Sequence, residues 1–272
     1  MSETDRVDLT GVLAEKLSEA ERLGSELSFD SLQSDGLVPD TIEAGIAAQA
    51  AATRAIGKGV AGWKIAISAS GTAVAAPILD AYLVDSDARV EILKPGVKAI
   101  EVEICFQLKE DVPPPLPGSP YSREDALGKI GSIHLGAELI DYRIDQRNKV
   151  PFPLFLADRL GNHSYVIGPE VSAELVDLLA SGDASRMSLH LDDQSAELFS
   201  GTPSHPQKDP LLPLIAFMNN PNDGLGGLKR GQFVTTGSLC GAIPIRSDAN
   251  LHVYGDMLPQ MKLVMTDASD PA

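Results

Sequence analysis

Leu9, Leu13, Leu17 and Ala20 recur at the spacing of one helix face, and Gly24 follows them as a stop signal. A second helix is predicted from Asp40. Asp40 and Glu43 have capping-box spacing, the alanine-rich stretch to Ile56 favours helix, and Gly57 and Gly59 end it. From Val60 the pattern changes to short apolar runs broken by turn residues. VAGWKIAIS and AYLVD read as strands with a Gly/Ala loop between them. VEILKPGVKAIEVEICFQL reads as two strands around a Pro95-Gly96 turn, and DVPPPLPGSP as a rigid loop. SREDALGKIGSIH predicts a short helix and GAELIDYRI a strand. SYVIGPEV, MSLHLDD and SAELFSG follow as strands, with DDQS as a hairpin turn. DPLLPLIAFMNN is a helix with proline in its first turn, and QFVTTG, AIPI, NLHVYG and MKLVMTD are four more strands. Helices first and mixed strands afterwards predict an α+β fold. A helical portion would span 1–59, and a bent sheet or β-roll would span 60–272.

Composition narrows the partners. The 272 residues are 43% hydrophobic and 22% charged, ordinary values for a globular chain long enough to bury a core without staples. A net charge of −16 disfavours nucleic acid and anionic membrane surfaces as partners, because both carry the same sign. Small anionic substrates remain open, since a local cation outweighs a distant field. Cys105 and Cys240 are too few for a disulfide framework. MSETDRVDLT holds no apolar run of the export type, and LLPLIAFM is too short to span a bilayer. A cytoplasmic protein in a reducing compartment is the expectation.

Candidate chemistry begins with AIEVEICFQL. Glu101 and Glu103 point the same way from a strand whose other face, Ile100, Val102, Ile104, Phe106 and Leu108, is apolar throughout. Two carboxylates there are either a wetted surface or part of a cation site that needs further ligands. Glu138, flanked by Leu135, Leu139 and Ile140, is the third carboxylate, and burial among such neighbours demands a partner. Oxygen ligands suit Mg²⁺ or Mn²⁺, and no His/Cys cluster has zinc spacing. Lys64, between Trp63 and Ile65, either snorkels to water or aims a positive charge into a pocket. Nucleophile-elbow, Walker and dinucleotide fingerprints are missing from the sequence.

GWKIAIS, KAIEVEICFQL, GAELIDYRI, ADRLGNHSYVIG and LKRGQFVTTGSLCGAIPI stand in one order between Asp40 and the C-terminus. In that order they resemble the fumarylacetoacetate hydrolase superfamily, in its 2-keto-4-pentenoate hydratase and 4-oxalocrotonate decarboxylase branch. The resemblance implies the mixed β-roll of that superfamily, homo-oligomeric assembly and one Mg²⁺ or Mn²⁺ held by Glu101, Glu103 and Glu138. It implies that Lys64 lies over the substrate and that Thr236, Gly237, Ser238 and Leu239 form a loop beside the metal. The family's Pro-Asp-aromatic-Gly stretch is altered here. Ile78 follows Pro77, so Asp80 is the nearby candidate for the acid/base. In ADRLGN the family's Asn is replaced by Arg159, which is expected to pair with Asp158 or with a second substrate carboxylate.

The implied substrate is a small 2-oxo or 2-hydroxy acid. The leading expectation is hydration of a 2-hydroxy-2,4-dienoate from aromatic catabolism. Arg159 would favour decarboxylation of a 2-oxo dioate on the same scaffold. C–C hydrolysis of an acylpyruvate would need a histidine near the metal that the sequence does not indicate. A non-catalytic relative binding an oxo acid is motivated by Ile78.

Overall fold

A computed structural model of the chain describes residues 8–84, 89–93, 96–194, 196–246 and 248–266. Pro95 of the predicted turn and Ser195 of the predicted hairpin lie outside the described residues. Two compact units are present. One runs to Gly59 and also takes in Tyr142–Gly161 and Asp223–Gly226. The other comprises Val60–Asp141, Asn162–Asn222 and the chain from Gly227 on. The helical unit therefore recruits two later segments that sequence reasoning assigned to the β portion.

The helical unit is built on α1 (Leu9–Leu23), α2 (Phe29–Ser34) and α3 (Ile42–Ile56). Gly24 and Gly57 end α1 and α3 in left-handed conformations, as their sequence positions predicted. The cap of α3 is Thr41 and not Asp40: Thr41 Oγ1 accepts the Ala44 amide, and α2 was not anticipated. Leu13, Leu17, Leu32, Ala48, Ile144 and Leu154 form the core of this unit. Helix Phe152–Ala157 lies so near α3 that a Cβ on Gly45 would strike the Pro153 carbonyl. Gln49, buried in α3, donates to the Leu156 carbonyl at 2.6 Å.

The second unit holds β1 (Gly62–Ile67), β2 (Ala73–Ile78), β3 (Ala81–Leu83), β4 (Arg89–Leu93), β5 (Ala99–Leu108), β6 (Ile130–Ile140) and β7 (Asn162–Glu170). Then come β8 (Leu189–Asp193), β9 (Ala196–Gly201), β10 (Phe233–Ser238), β11 (Ile243–Pro244), β12 (Asn250–Gly255) and β13 (Leu258–Thr266). The larger sheet has the order β2-β1-β10-β5-β6-β7-β3, with β11 paired to β5; the smaller has the order β4-β13-β12-β8-β9. The β1/β10, β3/β7 and β4/β13 pairs are parallel. The remaining pairs are antiparallel. Gly168 of β7 packs on Met261 of β13, and helix Leu211–Asn219 buries Phe217 against Trp63, their ring centroids 6.5 Å apart. No helix among the described residues is long and apolar enough to cross a membrane.

Three details differ from the sequence reading. The Gly/Ala loop after β1 contains strand β2, an edge position where Pro77 is tolerated because no further strand needs its missing amide hydrogen. The helix predicted to reach His134 stops at Lys129, where Ile130 turns extended and opens β6. β4 and β5 do not pair with each other but enter different sheets.

Candidate metal centre

Strand register assembles the site. Glu101 lies opposite Glu138 across β5 and β6, Glu103 opposite Gly136, and Cys105 opposite His134. On the other side of β5, Cys105 lies opposite Thr235 of β10, and Thr235 aligns with Lys64 of β1. Directly paired residues face the same way, so Lys64, Thr235, Glu101, Glu103 and Glu138 converge on one face of four neighbouring strands. The wetted-surface alternative fails here, because Glu103 and Glu138 are fully buried. The opposite face of β5 is apolar and buried, as predicted.

Lys64 Nζ donates to Glu138 Oε2 at 2.5 Å and to Glu101 Oε2 at 3.2 Å. Asn162 Nδ2 donates to Glu138 Oε1 at 2.9 Å. Glu103 Oε2 accepts from Thr235 Oγ1, which itself receives the Tyr165 hydroxyl at 3.2 Å. Glu103 Oε1 is buried and has no hydrogen-bond partner. A carboxylate oxygen stranded in this way calls for a cation. One oxygen from each of Glu101, Glu103 and Glu138 can be chosen so that all three lie within 4.8 Å of one another. An all-oxygen donor set of this kind fits a hard divalent ion.

The charges are strongly coupled. Burial opposes the Lys64 ammonium, but the carboxylates of Glu101, Glu138 and Glu103 outweigh it and hold the amine protonated. Burial pushes the Glu138 carboxyl up to about 7 even though Lys64 pulls it down. Glu103 is pushed well above the usual carboxylate range by burial and by the nearby charges of Glu138 and Glu101. Glu101 feels burial too, yet Lys64 and its hydrogen bonds bring it below that range. Without a cation the trio therefore resists full ionisation. Three carboxylates, one ammonium and one dication would sum to neutrality.

The remaining expected site residues belong to several elements. The Thr236 hydroxyl donates to the Pro210 carbonyl at 2.7 Å, on the opposite side of β10 from Thr235, with His205 beside it. Gly237 has φ of 146° within a register shift between Thr235 and Ser238, a conformation that favours glycine. The shift sets Ser238 opposite Glu103, with its hydroxyl on the Gly241 carbonyl, while the Leu239 amide donates to Val102. The Asp80 carbonyl accepts the Tyr165 amide, which anchors Asp80 beside β7. Asp158 and Arg159 belong to the helical unit. There Arg143 grips the Asp158 carboxylate, and Arg159 Nη2 donates to Glu21 at 2.9 Å. Arg143 and Glu21 are thus direct partners of Asp158 and Arg159, which also feel each other's charge. Thr235, Tyr165 and Asn162 were not anticipated. The alternation of QFVTTG, with Val234 on the apolar face, would have placed Thr235 on the opposite face, the one that carries the glutamates.

No family model matches the chain, and no curated protein sequence matches it. Solved structures do. One is a 4-oxalocrotonate decarboxylase from Pseudomonas putida G7 complexed with calcium and acetate, at 19% identity and TM-score 0.70, covering 97% of this chain and 99% of that one. The same enzyme complexed with magnesium and adipate gives a TM-score of 0.69 at 19% identity, over the same shares of both chains. A fumarylpyruvate hydrolase from Pseudomonas aeruginosa, in complex with Mn²⁺ and pyruvate, has a TM-score of 0.50 at 14% identity, covering 75% of this chain and 88% of that one. The fold is thus of the fumarylacetoacetate hydrolase type, and the three glutamates form a cluster able to hold a divalent ion.

Proposed function

We propose that this protein is a Mg²⁺- or Mn²⁺-dependent hydratase acting on a small 2-hydroxy-2,4-dienoate. The observation that carries this reading is the stranded Glu103 Oε1 beside Glu101 and Glu138, with the Lys64 ammonium at the same face. Glu101, Glu103 and Glu138 would hold a divalent ion, which would supply Lewis-acid chemistry for the oxo-acid end of the substrate. Lys64, kept charged by its neighbours, offsets the substrate's negative charge and steadies Glu101 and Glu138. The buried setting strengthens these electrostatic contacts by excluding water. Asp80 is the proposed group that moves the dienol hydroxyl proton to C5, which gives the conjugated ketone; water then adds across C3=C4, its hydroxyl at C4 and its proton at C3. The loop from Gly237 to Leu239 would flank the substrate.

Decarboxylation of a 2-oxo dioate is the second reading, favoured by the likeness in fold, over nearly the whole chain, to a decarboxylase. The Arg159 guanidinium donates to Glu21 within the helical unit. Incubation with Mg²⁺ and 2-hydroxypenta-2,4-dienoate, in parallel with 2-oxohex-3-enedioate, separates the two. Loss of dienol absorbance without CO₂ release, abolished by Glu103→Ala, is the expected result. CO₂ release from the dioate alone would replace hydration by decarboxylation. Metal-dependent binding of pyruvate without turnover of either compound would leave an oxo-acid-binding protein.

A further inference from the structure

Glu103 is the one carboxylate of the trio that Lys64 does not touch by hydrogen bond, and a hydroxyl donates to it instead. That hydroxyl belongs to Thr235, which lies beside it on β10 and is fully buried. Behind Thr235 stands Tyr165, also fully buried, whose phenol donates to Thr235 Oγ1. The ring reaches this position by crossing over Gly136, where a Cβ would collide with the phenolic oxygen. Gly136 is the register partner of Glu103, so the space above it is taken by the tyrosine that supports the carboxylate. Ile78, Cys105 and Ile167 pack around the ring and hold it there.

The direction of the chain of hydrogen bonds follows from proton count. Each hydroxyl has one proton and can accept as well, whereas an ionised carboxylate only accepts. With Glu103 ionised, the sole consistent order is Tyr165 to Thr235 to Glu103. In a buried, low-dielectric setting each bond polarises the next. The end of the relay is Oε2, which leaves Oε1 as the oxygen with no protein partner.

Resting on the metal-centre reading above, we infer that Tyr165 and Thr235 form a hydroxyl relay that fixes Glu103 with Oε1 presented to the cation and Oε2 withheld. Both are positioning residues that act through Glu103. Groups hydrogen-bonded to metal-ligating side chains commonly set metal affinity by about 10- to 100-fold.

The test is Mn²⁺ binding, followed by loss of the aqueous Mn²⁺ signal in electron paramagnetic resonance and by the spectrum of the bound ion. Thr235→Val keeps the shape and removes the hydroxyl; it is expected to weaken Mn²⁺ binding about 10- to 100-fold and to alter the bound spectrum. Thr235→Ser is expected to restore both. Tyr165→Phe, one bond further away, is expected to weaken binding several-fold, and it carries the test if Thr235→Val fails to fold. Wild-type affinity and an unchanged spectrum in a folded Thr235→Val, or in Tyr165→Phe, would overturn the relay while leaving the metal centre intact. A wild-type protein that binds no Mn²⁺ would overturn the metal reading and the relay with it.

Discussion

His205 shows how one buried side chain ties folding to pH. It is 4% exposed, its Nδ1 accepts the Gln207 amide, and its Nε2 lies against Thr236. Burial pushes the imidazole down from 6.5 to about 4, although Asp209 and the Thr236 backbone favour the charged form. The folded protein therefore keeps His205 neutral at pH values where the unfolded chain takes up a proton. Because the unfolded state binds more protons between about 4 and 6.5, stability is full above that window and falls as pH drops through it. The loss between pH 7 and pH 5 amounts to about 2 kcal/mol at this residue. His205→Gln should lower stability at neutral pH yet show a smaller loss on going to pH 5 by about that amount. Urea denaturation of both proteins at the two pH values measures the difference, and parallel slopes would contradict it.

At the scale of elements, the start of α3 separates a spacing rule from the hydrogen bond that is made. Asp40 and Glu43 have the right spacing, but Thr41 provides the cap. Thr41→Ala should cost about 1 kcal/mol, whereas Asp40→Ala should change stability by less than about 0.5 kcal/mol. Shifted urea midpoints would show it, and equal shifts would refute the assignment. Periodicity made α1, α3, β1 and β5 legible because their apolar residues recur in a regular rhythm. It failed for β2, whose small residues are buried on both faces and carry no alternation. It failed for Ile130–Ile140, where Gly131 and a preceding capped helix blurred the change of period. The Glu-x-Glu spacing revealed a shared face. The meeting of Glu101 with Glu138 depends on a register across a long connection, which local pattern does not encode and which the family resemblance supplied. Thr235 lies 132 residues from Glu103 in sequence, so their bond had no local signal beyond strand alternation.

For the whole molecule the governing quantity is the net charge of −16. Like charges crowd on folding, so the compact state is opposed by its own field. Salt shortens the reach of that field from about 30 Å at 0.01 M to about 8 Å at 0.15 M. Raising KCl over this range should therefore raise the melting temperature of the wild-type protein. A divalent salt at matched ionic strength screens similarly but can also occupy the glutamate trio, and an ion that binds only the folded state adds stability by mass action. At one hundred times its dissociation constant the gain is about 2.7 kcal/mol. For a chain of this length each kcal/mol corresponds to roughly 2–4 °C. MgCl₂ should thus raise the melting temperature by several degrees beyond KCl in the wild-type protein. In Glu138→Gln the excess should vanish while the KCl response persists, because the substitution removes one carboxylate of the trio and leaves the overall charge nearly unchanged. Differential scanning calorimetry of the two proteins in the two salts makes the comparison. An equal MgCl₂ excess in both would place the stabilising ions elsewhere on the acidic surface, and no excess in either would mean that the buried carboxylates do not hold Mg²⁺.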